Sequence, residues 1–134
     1  MLLVHPGGPL WARKDEGAWS IPKGEHAEGE DGLSAARREF EEETGAAAPE
    51  GPFIALDPLR QPGGKIVEAW AAESDFDPSR LESNTFEMEW PPRSGRRRQF
   101  PEVDRAGWFT IDVARQKILR GQAPFLDQLV AATA

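Results

Sequence analysis

The most regular hydrophobic spacing in the chain lies between residues 32 and 44, where Leu33, Ala36 and Phe40 recur at i, i+3 and i+7. That spacing puts all three on one side of a helix, and the stripe is expected to face a core. Asp31 or Ser34 can cap the start, and Gly45 stands where a left-handed residue ends a helix, so a helix is predicted from about Gly32 to Thr44. Elsewhere the apolar runs are short and fit strands: Leu2 to His5, Ala18 to Ile21, Phe53 to Leu59, Lys65 to Ala72, Thr85 to Trp90 and Ala106 to Ile111. Pro22-Lys23-Gly24 reads as a turn, and Gln61-Pro62-Gly63-Gly64 as the turn of a hairpin. Residues 91–104 hold three prolines and four arginines and are expected to form an irregular, functional loop. Helical patterns follow around Asp112 to Leu119 and Ala123 to Ala132. Strands with helices between and after them predict an α/β sandwich.

Composition narrows the class. At 134 residues and 39% hydrophobic content the chain suits one compact domain spanning 1–134. With no cysteine, a disulfide framework and a thiolate metal site are both excluded, and a reducing, cytoplasmic setting is expected. Met1 to His5 is too short an apolar run for a signal peptide or a membrane span. Sixteen basic against twenty-three acidic residues give a net charge of −7, which argues against a general nucleic-acid-binding surface. A small anionic ligand remains compatible where positive charge or a metal ion is concentrated locally, and a monomer or homodimer is expected.

The predicted helix carries the chemistry. Glu39, Glu42 and Glu43 stand at i, i+3 and i+4, so their carboxylates share a helical face offset from the apolar stripe. Their repulsion costs a few tenths of a kcal/mol per pair and is offset if a divalent cation sits among them. Oxygen donors of this kind suit Mg2+, with Mn2+ as a second candidate, and Mg2+ favours a few carboxylates completed by waters and phosphates. Arg38 can reach Glu39 or Glu42 and hold a carboxylate in place. Taken alone, three glutamates on a helix usually form a solvated face. The wider set of Gly24, Glu30, Arg38, Glu39, Glu42, Glu43 and Gly45 is another matter, since seven such matches coincide by chance on the order of once in 10^8 starting points.

Gly24, Glu30, Arg38-Glu39-Phe40, Glu42-Glu43 and Gly45-Ala46, at these intervals, resemble the complete Nudix box. Trp19-Ser20-Ile21-Pro22-Lys23-Gly24 resembles the family's approach to that box, and Pro101-Glu102-Val103 with Trp108-Phe109 its last-strand region. The resemblance covers nearly the whole chain. It implies a Nudix-type α/β/α sandwich with a mixed β-sheet, and hydrolysis of a phosphoanhydride bond in a nucleoside-diphosphate-linked substrate, with dinucleoside polyphosphates or nucleoside triphosphates favoured. It further implies that Glu39, Glu42 and Glu43 bind the metal, joined by the Gly24 carbonyl, while Glu30 supports the loop. Glu39 or a loop carboxylate would be the general base. Glu102 is the chosen loop residue and a distal metal ligand, with Glu87 and Glu89 as competitors.

Lys23 beside Gly24 and the run Arg93, Arg96, Arg97, Arg98 are candidates for phosphate contacts, against the plainer reading of solvated surface cations. Trp11, Trp70 and Trp90 could stack on a base, although most tryptophans in small domains are packing residues. His5 and His26 are expected in solvated loops. Trp-x-x-Pro-Lys-Gly resembles dinucleoside polyphosphate and diphosphoinositol polyphosphate hydrolases, yet the chain has no tyrosine for the position many diadenosine polyphosphate hydrolases fill after the box. No match to the downstream signatures of NADH or coenzyme A pyrophosphatases is present. The usual first strand and hairpin are expected to be lacking before Leu2-Leu3-Val4, through a late start codon, a dispensable strand, or an edge covered by a partner subunit. Two other classes compete: a nucleotide sensor that keeps the fold without catalysis, and an acidic calcium-binding domain. Crowded carboxylates argue against the first, and the absence of a calcium-loop pattern against the second.

Overall fold

The computed structural model describes residues 1–23 and 30–133. One antiparallel ladder joins β1 (Leu2–Pro6) to β8 (Val103–Trp108), with Leu2 opposite Trp108 and His5 opposite Arg105. On its other side β1 meets Ser20, where Val4 and Ser20 exchange two backbone hydrogen bonds of 2.8 and 2.9 Å. β1 is therefore flanked at Val4 by β8 on one side and by Ser20, which takes both of Val4's backbone bonds, on the other, and the expected strand over Ala18 to Ile21 reduces to isolated bridges at Trp19 and Ser20.

Alternation along β1 decides what lies on each side of it. Leu3 joins Ala18, Trp19, Ala114, Ile118 and Leu126 in the core, drawing on helices α2 (Ile111–Lys117) and α3 (Pro124–Thr133). Leu2 and Val4, on the opposite face, line cavities on the side of helix α1 (Gly32–Thr44). Burial of side chains such as Leu3 and Leu126 contributes roughly 1.5–3 kcal/mol each to this core.

Helix α1 starts at Asp31, whose carboxylate accepts from the Ser34 N–H at 3.0 Å, so Asp31 and not Ser34 is the cap. Gly45 ends it at φ 76°, donating to the Glu41 carbonyl, and a Cβ there would collide with the Glu82 backbone. One expectation fails here. The buried residues of α1 are Ala35, Glu43 and Thr44, whereas Leu33, Ala36 and Phe40 are half-buried and line a cavity. Ala35, Glu39 and Glu43 recur every fourth residue, so the deepest face of α1 is the one carrying carboxylates.

The hairpin around residues 61–64 forms, but its arms break into short pieces. β2 (Ile54–Ala55) pairs with β5 (Trp70–Ala71), and β3 (Leu59–Arg60) with β4 (Ile66–Val67). Pro58 has no N–H to give the ladder, which interrupts the first arm. The expected loop over 91–104 is overturned. Arg97–Pro101 is strand β7, antiparallel to β6 (Thr85–Glu89), with Phe86 opposite Phe100 and Met88 opposite Arg98. Pro91, Pro92, Arg93 and Arg96 belong to the turn between them, where Arg93 at φ 61° and Gly95 at φ 75° reverse the chain, while Arg97, Arg98 and Pro101 lie in β7 itself. Among the described residues, in place of one mixed sheet, the named strands form four two-stranded antiparallel ladders, and the parallel element is the Trp19–Ile118 bridge.

Candidate active site

Arg38 is the organising cation of helix α1. Its Nε and Nη2 donate to the two carboxylate oxygens of Glu30 at 2.8 and 2.9 Å, a bidentate fork, while Nη1 lies 2.9 Å from Glu39 and 3.1 Å from Glu42. These carboxylates, Glu30 foremost, hold the guanidinium pKa above its ordinary value. Glu30 thus fixes Arg38, and Arg38 fixes one oxygen each of Glu39 and Glu42 across the turn of the helix.

Glu43 is buried, 9% exposed, with Oε2 accepting the Lys23 backbone N–H at 2.8 Å. Burial pushes its carboxyl up to about 8; the Lys23 N–H opposes the rise, and the carboxylates of Glu39 and Glu102 add to it. Glu39 is raised in the same way, first by burial, against the pull of Arg38 and with further push from Glu42 and Glu102. Glu39, Glu43 and Glu102 therefore interact electrostatically although they come from two elements of the fold.

Glu102 joins β7 to β8, and backbone contacts position it. Its carbonyl accepts from Gly7 N–H at 2.9 Å and its N–H donates to Asn84 at 2.8 Å. A Cβ on Gly7 would overlap the Pro101 carbonyl, so only glycine lets β1 end against this junction. Residues 82–84 also cap the last turn of α1, with Glu82 N–H donating to the Thr44 carbonyl and Asn84 N–H to that of Glu42, both at 2.9 Å. One short segment therefore ties the carboxylate end of α1 to Glu102. Sequence reading missed Gly7 and residues 82–84, because their contribution is made by backbone atoms that leave no motif.

A cleft of about 210 Å³ is lined by Val4, Trp11, Ser20, Lys23, Glu43 and Glu102. Beside it lies a cavity of about 950 Å³, mostly apolar, whose lining includes Leu33, Phe40, Phe53, Trp70, Trp108 and, again, Lys23. Sealed and empty, such a volume would cost on the order of 20 kcal/mol, more than the whole stability of a domain this size, so it is an open space for solvent or a ligand.

Of the remaining candidates, Gly24 and His26 lie outside the described residues. Arg93 and Arg96 sit exposed in the turn of the β6–β7 hairpin, roughly 13 Å or more along the strand from Glu102, and line neither cavity. Trp90 begins that same turn. Glu87 is held by Arg97 at 2.9 Å on the hairpin, and neither it nor Glu89 lines the cleft. His5 corrects its expected solvated role. It is fully buried in β1, with Nδ1 2.7 Å from Asp104, Nε2 2.6 Å from the Lys14 carbonyl, and its ring edge-on to Trp19.

Among the described residues no group of three or more His, Asp or Glu side chains converges closely enough to enclose a metal ion. The donor set is nevertheless all oxygen, and a carboxylate whose pKa is raised first by burial and then by neighbouring carboxylates is one that a cation would relieve. That chemistry fits Mg2+ held by a few protein oxygens and completed by substrate phosphates, and does not fit a complete protein cage.

The family model of the NUDIX domain matches residues 1–129. The chain belongs to the Nudix family, and with it to proteins whose general role is hydrolysis of pyrophosphate bonds in nucleoside diphosphate derivatives. Among solved structures it is similar to the E. coli ORF135 protein, determined in solution, at a TM-score of 0.62 and 23% identity, over 99% of this chain and 81% of that one. At that identity the likeness concerns the fold. No curated protein matches the chain. Among the described residues no helix is long and apolar enough to cross a membrane.

Proposed function

We propose that this chain is a Mg2+-dependent pyrophosphohydrolase that cleaves a phosphoanhydride bond in a nucleoside-diphosphate-linked substrate, with a nucleoside triphosphate or dinucleoside polyphosphate favoured. The observation that carries the reading is the buried Glu43 carboxylate, in one cleft with Glu102 and electrostatically coupled to Glu39. A domain gains nothing in stability from carboxylates arranged this way unless a cation shares the site.

Glu39, Glu42, Glu43 and Glu102 are the ligands in this reading, with Mn2+ able to replace Mg2+ and the Gly24 carbonyl as a further donor. Bound there, the ion would neutralise phosphate charge and lower the barrier to attack at phosphorus. Arg38 keeps Glu39 and Glu42 oriented through its fork on Glu30. Lys23 contributes its ammonium to the phosphate chain where the two cavities meet. Glu102, exposed at the cleft, takes the proton of the attacking water; Glu39 is the alternative base. Arg93 and Arg96 capture distal phosphates electrostatically before they reach the cleft.

A second reading is a nucleotide sensor that keeps the fold and binds without turnover. A Mg2+-dependent screen of nucleoside triphosphates, diadenosine polyphosphates, nucleotide sugars and diphosphoinositol phosphates separates the two, with phosphate and pyrophosphate release measured apart. Turnover that falls at least about a hundredfold in Glu43→Gln supports the hydrolase. Nucleotide binding without turnover of any of them supports the sensor.

A further inference from the structure

We propose that His5 is a positioning residue of the candidate active site, a buried bridge that sets how the wall carrying Glu102 and the wall carrying Trp11 stand to each other. What the cleft does with that spacing rests on the hydrolase reading above; the bridge itself does not.

Val4 and Pro6 line the carboxylate cleft, and alternation along β1 turns His5 to the other face, where its ring meets Trp19 edge-on. His5 therefore acts from behind the cleft. At one end of the ring, Nδ1 lies 2.7 Å from the carboxylate of Asp104, two residues past Glu102 on β8. At the other, Nε2 lies 2.6 Å from the Lys14 carbonyl, with Nη2 of Arg105 at 3.0 Å beside it. Lys14 in turn holds Trp11: its N–H donates to the Trp11 carbonyl at 2.9 Å, and its ammonium sits 4.9 Å from the centre of the indole. Trp11 and Glu102 both line the cleft. One ring thus joins the supports of two cleft residues that are far apart in sequence.

Packing alone does not call for a histidine here. Leu3, two residues earlier on the same face, fills the core as an apolar side chain, whereas a fully buried imidazole recovers its lost hydration only through bonds at both nitrogens. What the imidazole adds is direction. Its ring is rigid, so two short bonds fix the separation of their acceptors. The loop has use for such a fix, because residues 12–17 are exposed and are held at their foot by the bonds of the Asp15 carboxylate to Trp19 and Lys117. In a cleft this small, displacing one wall by about 1 Å is enough to cost about a hundredfold in rate.

Two substitutions separate the ends of the bridge. Gln carries its amide nitrogen to the place of Nε2 and keeps the Lys14 end while losing Asp104; Asn keeps the Asp104 end and loses Lys14. Amide exchange in metal-free protein is read at Lys14 and at Glu102, whose N–H donates to the Asn84 carbonyl at 2.8 Å. His5→Gln is expected to speed exchange at Glu102 at least about tenfold and leave Lys14 within about twofold of wild type, and His5→Asn to speed Lys14 and spare Glu102. Mn2+ affinity, followed by electron paramagnetic resonance, should fall at least about tenfold in His5→Gln and hold in His5→Asn. With ATP and diadenosine tetraphosphate as substrates, His5→Gln should lose kcat at nearly constant KM, while His5→Asn should raise KM. Leu126→Ala opens a cavity in the core without removing any of these bonds, and this control for lost stability should keep wild-type Mn2+ affinity and wild-type exchange at both amides. Exchange at either amide that fails to follow its own end of the bridge, or His5 variants that match the control, overturns the proposal. If circular dichroism shows both His5 variants to be unfolded, Asp104→Ala, at a half-buried site, carries the test, and unchanged Glu102 exchange and Mn2+ affinity in it overturn the proposal. The expected exchange pattern without turnover of either nucleotide leaves the bridge standing and sinks the hydrolase reading alone.

Discussion

Replacing Glu43 by Gln should stabilise the metal-free protein while abolishing its activity. Burial raises this carboxyl from an ordinary value of 4.5 to about 8, so at neutral pH the unfolded chain is ionised while the folded chain retains the proton or holds a desolvated charge. The sign follows directly. Below about 4.5 both states are protonated and the site costs nothing. Stability is lost as pH climbs from about 4.5 toward 8, and the full penalty remains above that. At pH 7 the difference corresponds to roughly 3 kcal/mol, which partial exposure and relaxation of the neighbouring carboxylates reduce to between about 1 and 3 kcal/mol. Gln keeps an oxygen for the Lys23 N–H, so the variant removes the charge without orphaning that donor. For a chain of this length the gain amounts to roughly 5–10 °C in Tm. Thermal unfolding in EDTA at pH 7.5 and at pH 4.5 reads it out. The variant should melt higher at pH 7.5 and alike at pH 4.5, and Mg2+ should narrow the gap by stabilising the wild type more than the variant. Equal melting temperatures at pH 7.5, or a gap that persists at pH 4.5, would refute the argument.

Other outcomes follow from particular contacts. Arg38→Lys removes the fork to Glu30 and should lower kcat/KM about tenfold or more, and Glu30→Gln in the Arg38→Lys background should add little, since the two act as one unit in a double-mutant cycle. Gly7→Ala forces β1 away from Pro101 and should both destabilise the fold by about 1–3 kcal/mol and cut turnover by displacing Glu102, whereas Ala at Gly17, strained by its φ of 71° but meeting no neighbouring atom, should cost stability and leave turnover intact. His5→Ala leaves Asp104 and the Lys14 carbonyl without their buried partner and should cost about 2–4 kcal/mol by denaturant unfolding. The double variant Arg93→Ala/Arg96→Ala should lower kcat/KM at low salt and lose most of that deficit at high ionic strength, because a turn that captures phosphates acts through screened, long-range attraction.

Helix α1 was legible because its period, its Asp31 cap and its Gly45 stop agree with one another, and the carboxylate spacing lies within that single helix. The mutual placement of Arg38, Glu39 and Glu42 follows from helical geometry alone. Glu102 is a long-range matter; its nearness to Glu43 depends on the backbone bonds from Gly7 and Asn84, which no side-chain pattern encodes. The β7 strand was hidden because Arg97, Arg98 and Gln99 are exposed and polar and Phe100 is followed by a proline, leaving no alternation to read. His5 was misjudged for a related reason: a histidine after an apolar run and before Pro-Gly-Gly looks like the start of a loop, yet Asp104 and the Lys14 carbonyl, both distant in sequence or on another element, bond both of its nitrogens inside the protein. The apolar stripe of α1 is legible as a face, but that it lines a cavity, where a core is expected, depends on long-range packing that the spacing does not encode.

Manganese binding followed by electron paramagnetic resonance tests the central claim most directly, because it asks whether these carboxylates hold a divalent ion at all. Wild type should bind Mn2+ with a signal that Mg2+ displaces, and Glu43→Gln should weaken that binding at least about tenfold while the protein remains folded. Identical Mn2+ affinity in the two folded proteins would contradict the account, since the buried carboxylate would then have no cation to serve.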